Sequence, residues 1–341
     1  MEQSTIAVII LNYNGATMLR QFLPSVIAHS DDAEIVVADN ASTDDSLEVL
    51  RTQFPEVRVT RFSENHGFAE GYNRAIARES ADHVVLLNSD VEVTAGWLRP
   101  LRAYLDTYPD CVAAQPKLRA YHQRTHFEYA GAAGGYLDYL GYPFCRGRVM
   151  AEVEADYGQY DTPADVLWAT GAALYIRREA YEEAGGLDAR FFAHQEEIDL
   201  CWRLRSRGYR IVCLPESVVY HVGGGTLDAT SPRKTLLNFR NNLLMLYKNL
   251  PDRQLRSVLR CRRWLDALAW LKFVITGQWQ HAAAVREARK RFHEMVIHYE
   301  DVRAENISKT TTSVLPEIMA RSLLWQHVIG RVKTFDKLSF Y

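Results

Sequence analysis

What the chain lacks narrows the field first. Its 341 residues carry a net charge of only −2, so no whole-chain electrostatic argument for nucleic-acid binding exists. The five cysteines, Cys111, Cys145, Cys201, Cys213 and Cys261, are odd in number and widely spaced, with no C-x-x-C pair. Neither a disulfide framework nor a zinc site follows from them, and a reducing compartment is favoured. The opening "MEQSTIAVII" has neither the basic start nor the longer apolar stretch of a signal peptide, so a cytoplasmic protein is expected. No apolar run reaches the roughly 20 residues of a spanning helix. The most apolar late stretch, "WLDALAWLKFVITGQW" at 264–279, contains Asp266 and Lys272 and reads as a core or interfacial helix. No Gly-x-Gly-x-x-Gly or Walker loop follows the first apolar run, so phosphates are not held in the usual dinucleotide manner.

What is present is an ordinary globular composition, 48% hydrophobic and 24% charged. In the first hundred residues, β-branched runs at 5–11, 33–39, 57–62 and 83–88 alternate with the helix-like stretches "MLRQFLPSVIAH", "DDSLEVLRTQF" and "FAEGYNRAIARE". Ser42, three residues before Asp45, offers an N-cap for the second of these. The alternation predicts an α/β fold with a mostly parallel, Rossmann-like sheet covered by helices on both faces. Residues 120–165 turn Gly- and Tyr-rich, a β-rich excursion or substrate loop. Strand and helix return over 166–215, with a separate strand "SVVYHV" after them. Beyond 232 amphipathic helices dominate and no strand signal remains strong; Leu236, Leu243, Leu246, Tyr247 and Leu250 fall on one face of the first.

In parallel sheets ligands bind at the carboxyl ends of strands, which singles out Asn12 to Asn14, Asp39 with Asn40, and Asn88 to Asp90. A carboxylate there can accept hydrogen bonds from a base or ribose, or ligate a hard cation that also binds phosphate oxygens. Asp39 and Asp90 could equally serve turn chemistry, and a lone histidine such as His221 is more often structural.

The ordered stretches "VIILNYNG", "VVADNASTDDS", "ENHGFAEGYNRAI", "LLNSDVEV", "WATGAALYIRREAYEEAGGLDARFFAHQEEIDLCWRLRSRGYRI" and "VYHVGGGT" decide between these readings. Over roughly residues 5–250 the chain resembles an inverting family 2 glycosyltransferase of the GT-A fold, especially the bacterial rhamnosyltransferase-like branch. The resemblance implies a nucleotide site in which Tyr13 packs on the base and Asp39 hydrogen-bonds it. Asn14, Asn40, Asn88 and Ser89 lie beside it, and Asn65, Gly67, Phe68 and Asn73 line the ribose and diphosphate side, Gly67 allowing close backbone approach. It implies Asp90 and His221 as ligands of Mg2+ or Mn2+, "GGGT" closing over the phosphates, and Trp168, Thr170, Gly171 and Ala172 bordering the sugar and acceptor. Glu197 is the implied base, with Glu196 as its alternative; its place near a helix N-terminus favours the ionised form. Asp199 and Arg203, four apart, are expected to pair structurally.

The chain departs from the family pattern at two points. Asn88 stands where Asp-x-Asp metal motifs have their first Asp, and Glu196-Glu197 replaces the usual Glu-Asp pair. The Gln-x-x-Arg-Trp motif of processive synthases is missing, so transfer of a single sugar, rhamnose being one candidate, is expected. The implied partners are a UDP- or dTDP-linked sugar and a glycan or lipid-linked glycan acceptor, in surface polysaccharide synthesis. Two alternatives remain at this stage: a nucleotidyltransferase, which would need a Gly-rich basic loop after the first strand, and a degenerate glycan-binding scaffold in which Asp90, His221 and Glu197 do not converge. The expected organisation is a catalytic domain over 1–250, its nucleotide half about 1–115 and its acceptor half about 116–250, then a helical extension over 251–341. In that extension Arg253, Arg256, Arg260, Arg262 and Arg263 with Trp264 and Trp270 could meet an anionic membrane at the inner face of the cell envelope; a solvated face or a homodimer contact would use the same residues.

Overall fold

The computed structural model describes residues 3–223 and 231–341. Its first strand, β1 (Ile6–Asn12), shows why the aliphatic runs become central strands. Ile6, Val8 and Ile10 enter one core, Ala7 and Ile9 the other, so successive residues bury on opposite faces. Each such aliphatic side chain contributes about 1.5–3 kcal/mol of burial. The chain continues through α1 (Ala16–His29), β2 (Glu34–Asp39), α2 (Ser46–Gln53), β3 (Arg58–Arg61), α3 (Gly67–Ile76), β4 (His83–Asn88), β5 (Val91–Val93), α4 (Leu98–Thr107) and β6 (Cys111–Ala120). Short strands β7 (Gly135–Asp138), β8 (Pro143–Cys145), β9 (Arg148–Val149), β10 (Glu152–Val153) and β11 (Ala164–Asp165) fill the Gly- and Tyr-rich excursion. Then come β12 (Ala173–Arg177), α5 (Arg178–Glu183), α6 (Glu196–Ser206), β13 (Arg210–His221), α7 (Pro232–Asn249), α8 (Asp252–Ile275), α9 (Trp279–Val296), α10 (Glu300–Ser308), β14 (Ile318–Met319) and α11 (Leu323–Val328).

The main sheet has the order β11-β13-β6-β12-β4-β1-β2-β3, with β5 on β13. It is parallel from β4 to β3; β12 enters antiparallel between β4 and β6, and β6 and β13 are again parallel. Helices α1, α2 and α4 cover one face, while α3, α5, α6 and α7 cover the other. Pairing of Asn12 with Asp39 and of Leu11 with Asn88 brings three strand tips to one edge of the sheet.

Several local expectations are corrected. Ser42 does not cap α2: its hydroxyl accepts from Asn12 Nδ2 and the Asn14 amide, while Asp44 accepts the Ser46 N–H. The two strands expected over 207–222 are one, β13, with a shift of register between Leu214 and Val218 that accommodates Pro215. Helix α7 has no single apolar face; from Arg240 to Leu246 every residue is buried, because α6 and α9 pack around it.

After residue 250 the chain is helical, as expected, but it also supplies a strand. β14 pairs with β7, Ile318 opposite Leu137, completing a second sheet of order β10-β9-β8-β7-β14. Phe335 and Phe340 pack on Tyr136 and Phe144 from that sheet. Among the described residues no helix is long and apolar enough to cross a membrane. Arg262 and Trp270 leave the expected exposed cluster: Arg262 is buried and Trp270 is half-buried.

Candidate active site

The three strand tips are tied together before they meet anything else. Asp39 is buried and accepts from Asn12 Nδ2 (3.2 Å) and the Ser42 amide (3.1 Å), which holds the loops after β1 and β2 in register. Asn14, in the left-handed region at φ 53°, accepts the Thr43 and Asp44 amides. Tyr13 stands half-exposed beside them, and Ser89 lies in the turn after β4 near Gly15. Asn40 accepts from the His66 amide and donates to Asn65 Oδ1 and the Gly67 carbonyl, while Asn65 accepts the Gly67 N–H. Two residues of this group have structural work that the sequence did not disclose. A Cβ on Gly67, at φ +76°, would lie 2.7 Å from the Phe192 ring, so the glycine answers to Phe192 and to its own backbone. The Asn73 amide is fully engaged, donating to the Leu187 carbonyl and accepting from the Leu187 N–H and the Tyr181 hydroxyl.

Next to this edge opens a cavity of about 1080 Å3. Asn88, Asp90 and His221 line it, as do Phe68, Trp168, Thr170, Gly171, Ala172, Glu196 and Glu197. Tyr13, Asn14, Asp39, Asn40, Asn65, Gly67, Asn73 and Ser89 are not on its wall. A scaffold without a site would leave Asp90, His221 and Glu197 apart; they share one cavity. Of the "GGGT" run only Gly223 lies within the described residues, and it too lines the cavity.

Strand β13 carries His221 to the tip of β5, so that Nε2 lies 3.2 Å from Asp90 Oδ1 and 3.4 Å from Asn88 Nδ2. On the other side of the ring Glu128 Oε1 lies 3.4 Å from Nδ1, and Glu128 Oε2 accepts the Ala130 N–H at 2.6 Å. Burial disfavours the imidazolium, but the flanking Glu128 and Asp90 carboxylates outweigh it and raise the His221 pKa to about 10. Burial likewise opposes ionisation of Asp90, and its hydrogen bond to His221 wins and lowers its pKa. Glu128 was missed in the sequence because it sits in an irregular segment with no motif around it.

The second pair of carboxylates behaves oppositely. Glu196 and Glu197 open α6, and each keeps a buried Oε2 without a hydrogen-bond partner. Burial pushes Glu197 up to about 7 against the pull of the helix N–H groups; burial and then the adjacent Glu197 push Glu196 well above the ordinary range. The expectation that the helix terminus keeps Glu197 readily ionised is therefore overturned, because desolvation exceeds the terminal dipole. Asp199, one turn on, has its pKa lowered instead: burial is outweighed by Lys248 and Arg203, and it takes the structural role expected of it.

The loop that delivers α6 is strained. Phe192, His194 and Gln195 all have positive φ, between 67° and 73°. Asn241, on α7, holds this loop by donating to the carbonyls of Phe191, Ala193 and His194. Asn242 donates to Gln195 Oε1 and accepts from Arg262, which stacks over Tyr142 on the far wall. A helix of apparently amphipathic sequence concealed both asparagines. Trp168, its N–H donating to the Tyr136 carbonyl, lies flat against Gly135, so it is core and cavity wall at once.

Asp90, His221 and Asn88 form a donor set of one carboxylate, one imidazole and one amide, and among the described residues no group of three or more acidic, histidine or cysteine side chains could hold a metal by itself. The set would fit a hard divalent ion that displaces the His221 proton and takes its remaining ligands from phosphate and water. The carboxylate behind the imidazole is the partner that metal-binding histidines ordinarily have.

Residues 7–183 match the family model described as glycosyl transferase family 2. The chain is 27% identical over 230 residues to N-acetylglucosaminyl-diphospho-decaprenol L-rhamnosyltransferase of Mycobacterium tuberculosis, covering 63% of this chain and 75% of that protein. It is also 27% identical over 209 residues to the O-antigen biosynthesis protein RfbC of Myxococcus xanthus, 60% of this chain but 16% of that one. Among solved structures, GalNAc-T7 with UDP, GalNAc and Mn2+ superposes with a TM-score of 0.57 at 19% identity, over 74% of this chain and 49% of that one. The mannosyltransferase PcManGT from Pyrobaculum calidifontis, in complex with GDP-Man and Mn2+, gives 0.52 at 15% identity, over 91% and 85%. At those identities the structures speak for the fold, which is GT-A. The family match covers more than half of the chain and runs through the strand tips from which the site is built: this protein belongs to glycosyl transferase family 2, and it is similar to the rhamnosyltransferases of that family.

Proposed function

We propose that this glycosyltransferase moves a single hexose, with inversion, from a nucleoside diphosphate sugar to a hydroxyl of a glycan or lipid-linked glycan, and that it requires a divalent cation. The observation that carries the reading is the placement on one cavity of two carboxylates with pKa values shifted in opposite directions: Asp90, lowered against burial by its hydrogen bond to His221 beside the strand tips, and Glu197 on α6, raised by burial. Tyr13, Asn14, Asp39, Asn40 and Asn65 form the nucleotide edge, with Ser89, Phe68 and Asn88 leading into the cavity. Asp90 and His221, assisted by Asn88, would hold Mg2+ or Mn2+, which when bound offsets the charge of the diphosphate leaving group. Glu197 accepts the proton of the acceptor hydroxyl as its oxygen bonds to the anomeric carbon, and the bond from that carbon to the diphosphate oxygen breaks. Its pKa near 7 suits this task at neutral pH. Burial and the neighbouring Glu197 raise the pKa of Glu196 and so work against a second negative charge beside the base. Trp168, Thr170, Gly171 and Ala172 shape the sugar subsite. Rhamnose as the sugar, dTDP or UDP as the nucleotide and a place in surface polysaccharide synthesis are supported by the similarity to the mycobacterial rhamnosyltransferase and to the O-antigen protein. Five free cysteines fit the cytoplasmic side of the envelope as its place of action.

Incubation with UDP-, dTDP- and GDP-sugars, with Mn2+ or with chelator, tests the reading. Slow metal-dependent release of nucleoside diphosphate is expected even without acceptor. Absence of both release and metal-dependent nucleotide binding would overturn it.

A further inference from the structure

Helix α8 has two unlike sides. Val258, Arg262 and Asp266 are buried against the rest of the protein. On the other side Trp264 (76% exposed), Leu268 (61%), Leu271 (43%) and Ile275 (75%) stand at the i, i+4, i+7, i+11 spacing that places them in one stripe. Trp279, 65% exposed, extends the apolar surface just past the turn at Gly277.

Past the exposed Asp252 of its first turn, which pairs with Arg303, the helix carries charges of one sign only where solvent reaches it. Arg253, Arg256, Arg260, Arg263 and Lys272 are exposed, whereas the only acidic residue between 253 and 279 is the buried Asp266, held by Arg262 and Arg289 (2.5 Å). Among the described residues Arg253, Arg256, Arg260 and Arg263 form no ion pair. The N-terminal half of the exposed face is therefore cationic and its C-terminal half apolar and aromatic.

Three surfaces could cover such a face: water, a second copy, or a lipid headgroup layer. Water is a poor match for two tryptophans and three aliphatic side chains in a row. A symmetric dimer would set the same patch against itself: parallel helices would bring the arginines together, and antiparallel ones would lay the arginine half of one copy on the apolar half of the other, so neither matches both halves. An anionic bilayer satisfies both halves at once, the arginines at the phosphates and the stripe in the headgroup–acyl boundary. We infer that the exposed face of α8, from Arg253 to Trp279, is a docking surface for an anionic phospholipid bilayer, on which the helix lies flat without crossing it. This inference is independent of the assignment of the transfer site, and it replaces Arg262 and Trp270 in the sequence-based cluster with Leu268, Leu271, Ile275 and Trp279.

The test uses the full chain and sedimentation with vesicles of phosphatidylcholine alone or mixed with phosphatidylglycerol. More than about tenfold preference for the anionic vesicles is expected, weakened by salt. A variant carrying Trp264→Ser, Leu268→Ser and Ile275→Ser, and a second carrying Arg256→Glu and Arg260→Glu, should each lose vesicle binding while keeping the wild-type melting temperature and nucleotide binding. Equal sedimentation with both vesicle types, or retention of binding by both variants, would overturn the proposal. So would a concentration-dependent dimer, in the absence of vesicle binding, that the serine variant abolishes; that result would make the face a self-association surface.

Discussion

Glu128 and His221, remote in sequence, meet at 3.4 Å on the side of the imidazole turned away from Asp90. The ring is thus fixed between two carboxylates, with the nitrogen facing the cavity aimed by the other. Substitution Glu128→Gln should weaken Mn2+ binding about tenfold or more, because carboxylates behind metal-binding histidines orient the ring and raise its basicity. Mn2+ titration followed by electron paramagnetic resonance, with nucleoside diphosphate present, reads this directly. Unchanged affinity would reduce Glu128 to a support for the loop at Ala130.

Removing the proposed base separates binding from chemistry. Glu197→Gln should lower kcat by about 10²–10⁴-fold and leave the dissociation constant for the donor close to wild type. Glu196→Gln should have a milder effect, since burial and the adjacent Glu197 already disfavour its charged form. Full activity of Glu197→Gln would move the base role to Glu196 or elsewhere.

The same carboxyl makes opposite demands on rate and stability as pH changes. A base with a pKa near 7 predicts a transfer rate that rises through that value and then levels. Stability runs the other way. In the unfolded chain the group titrates near 4.5, so between about pH 4.5 and 7 the native state holds the extra proton, and stability is lost as pH rises through the folded value. Glu197→Gln should therefore melt above wild type at about pH 8, with the difference closing towards about pH 4. Parallel differential scanning calorimetry of the two proteins decides it.

Asn241 supports the strained entry to α6 through three carbonyls. Asn241→Ala removes the amide donor from the Ala193 and His194 carbonyls, while Phe191 keeps those of Arg240 and Ala193, at a cost of about 1–3 kcal/mol. The expected signature is a fall in kcat larger than any change in donor affinity, as the loop relaxes and Glu197 loses its position. A purely global destabilisation would instead be recovered by assaying at lower temperature.

Much of this architecture could be read in advance because it is local. Continuous aliphatic runs announced β1, β2 and β4, and the polar residues that end them named the sheet edge where Asp39 and Asn88 stand. Ordered motifs singled out Asp90, Glu197 and His221, which the fold brings to one cavity. Glu128, Asn241, Asn242 and Arg262 were not, since each acts by a side-chain contact with a remote segment and none sits in a recurring pattern. Gly67 and Asn73 also have contacts that their motif did not announce, with Phe192 and Leu187. The ionisation of Glu197 turned on burial, a quantity that position along a helix does not report.

The pairing of Ile318 with Leu137 has a consequence for the order in which the molecule is made. Strands β1 to β4 contact one another within the first ninety residues and can pair early during synthesis. The sheet that carries the far wall of the cavity is completed by β14, and its aromatic cluster by Phe335 and Phe340, all of which follow long after β4 in the chain. A nascent chain therefore pairs the strands that end in Asn12, Asp39 and Asn88 well before it completes the opposite wall of the cavity.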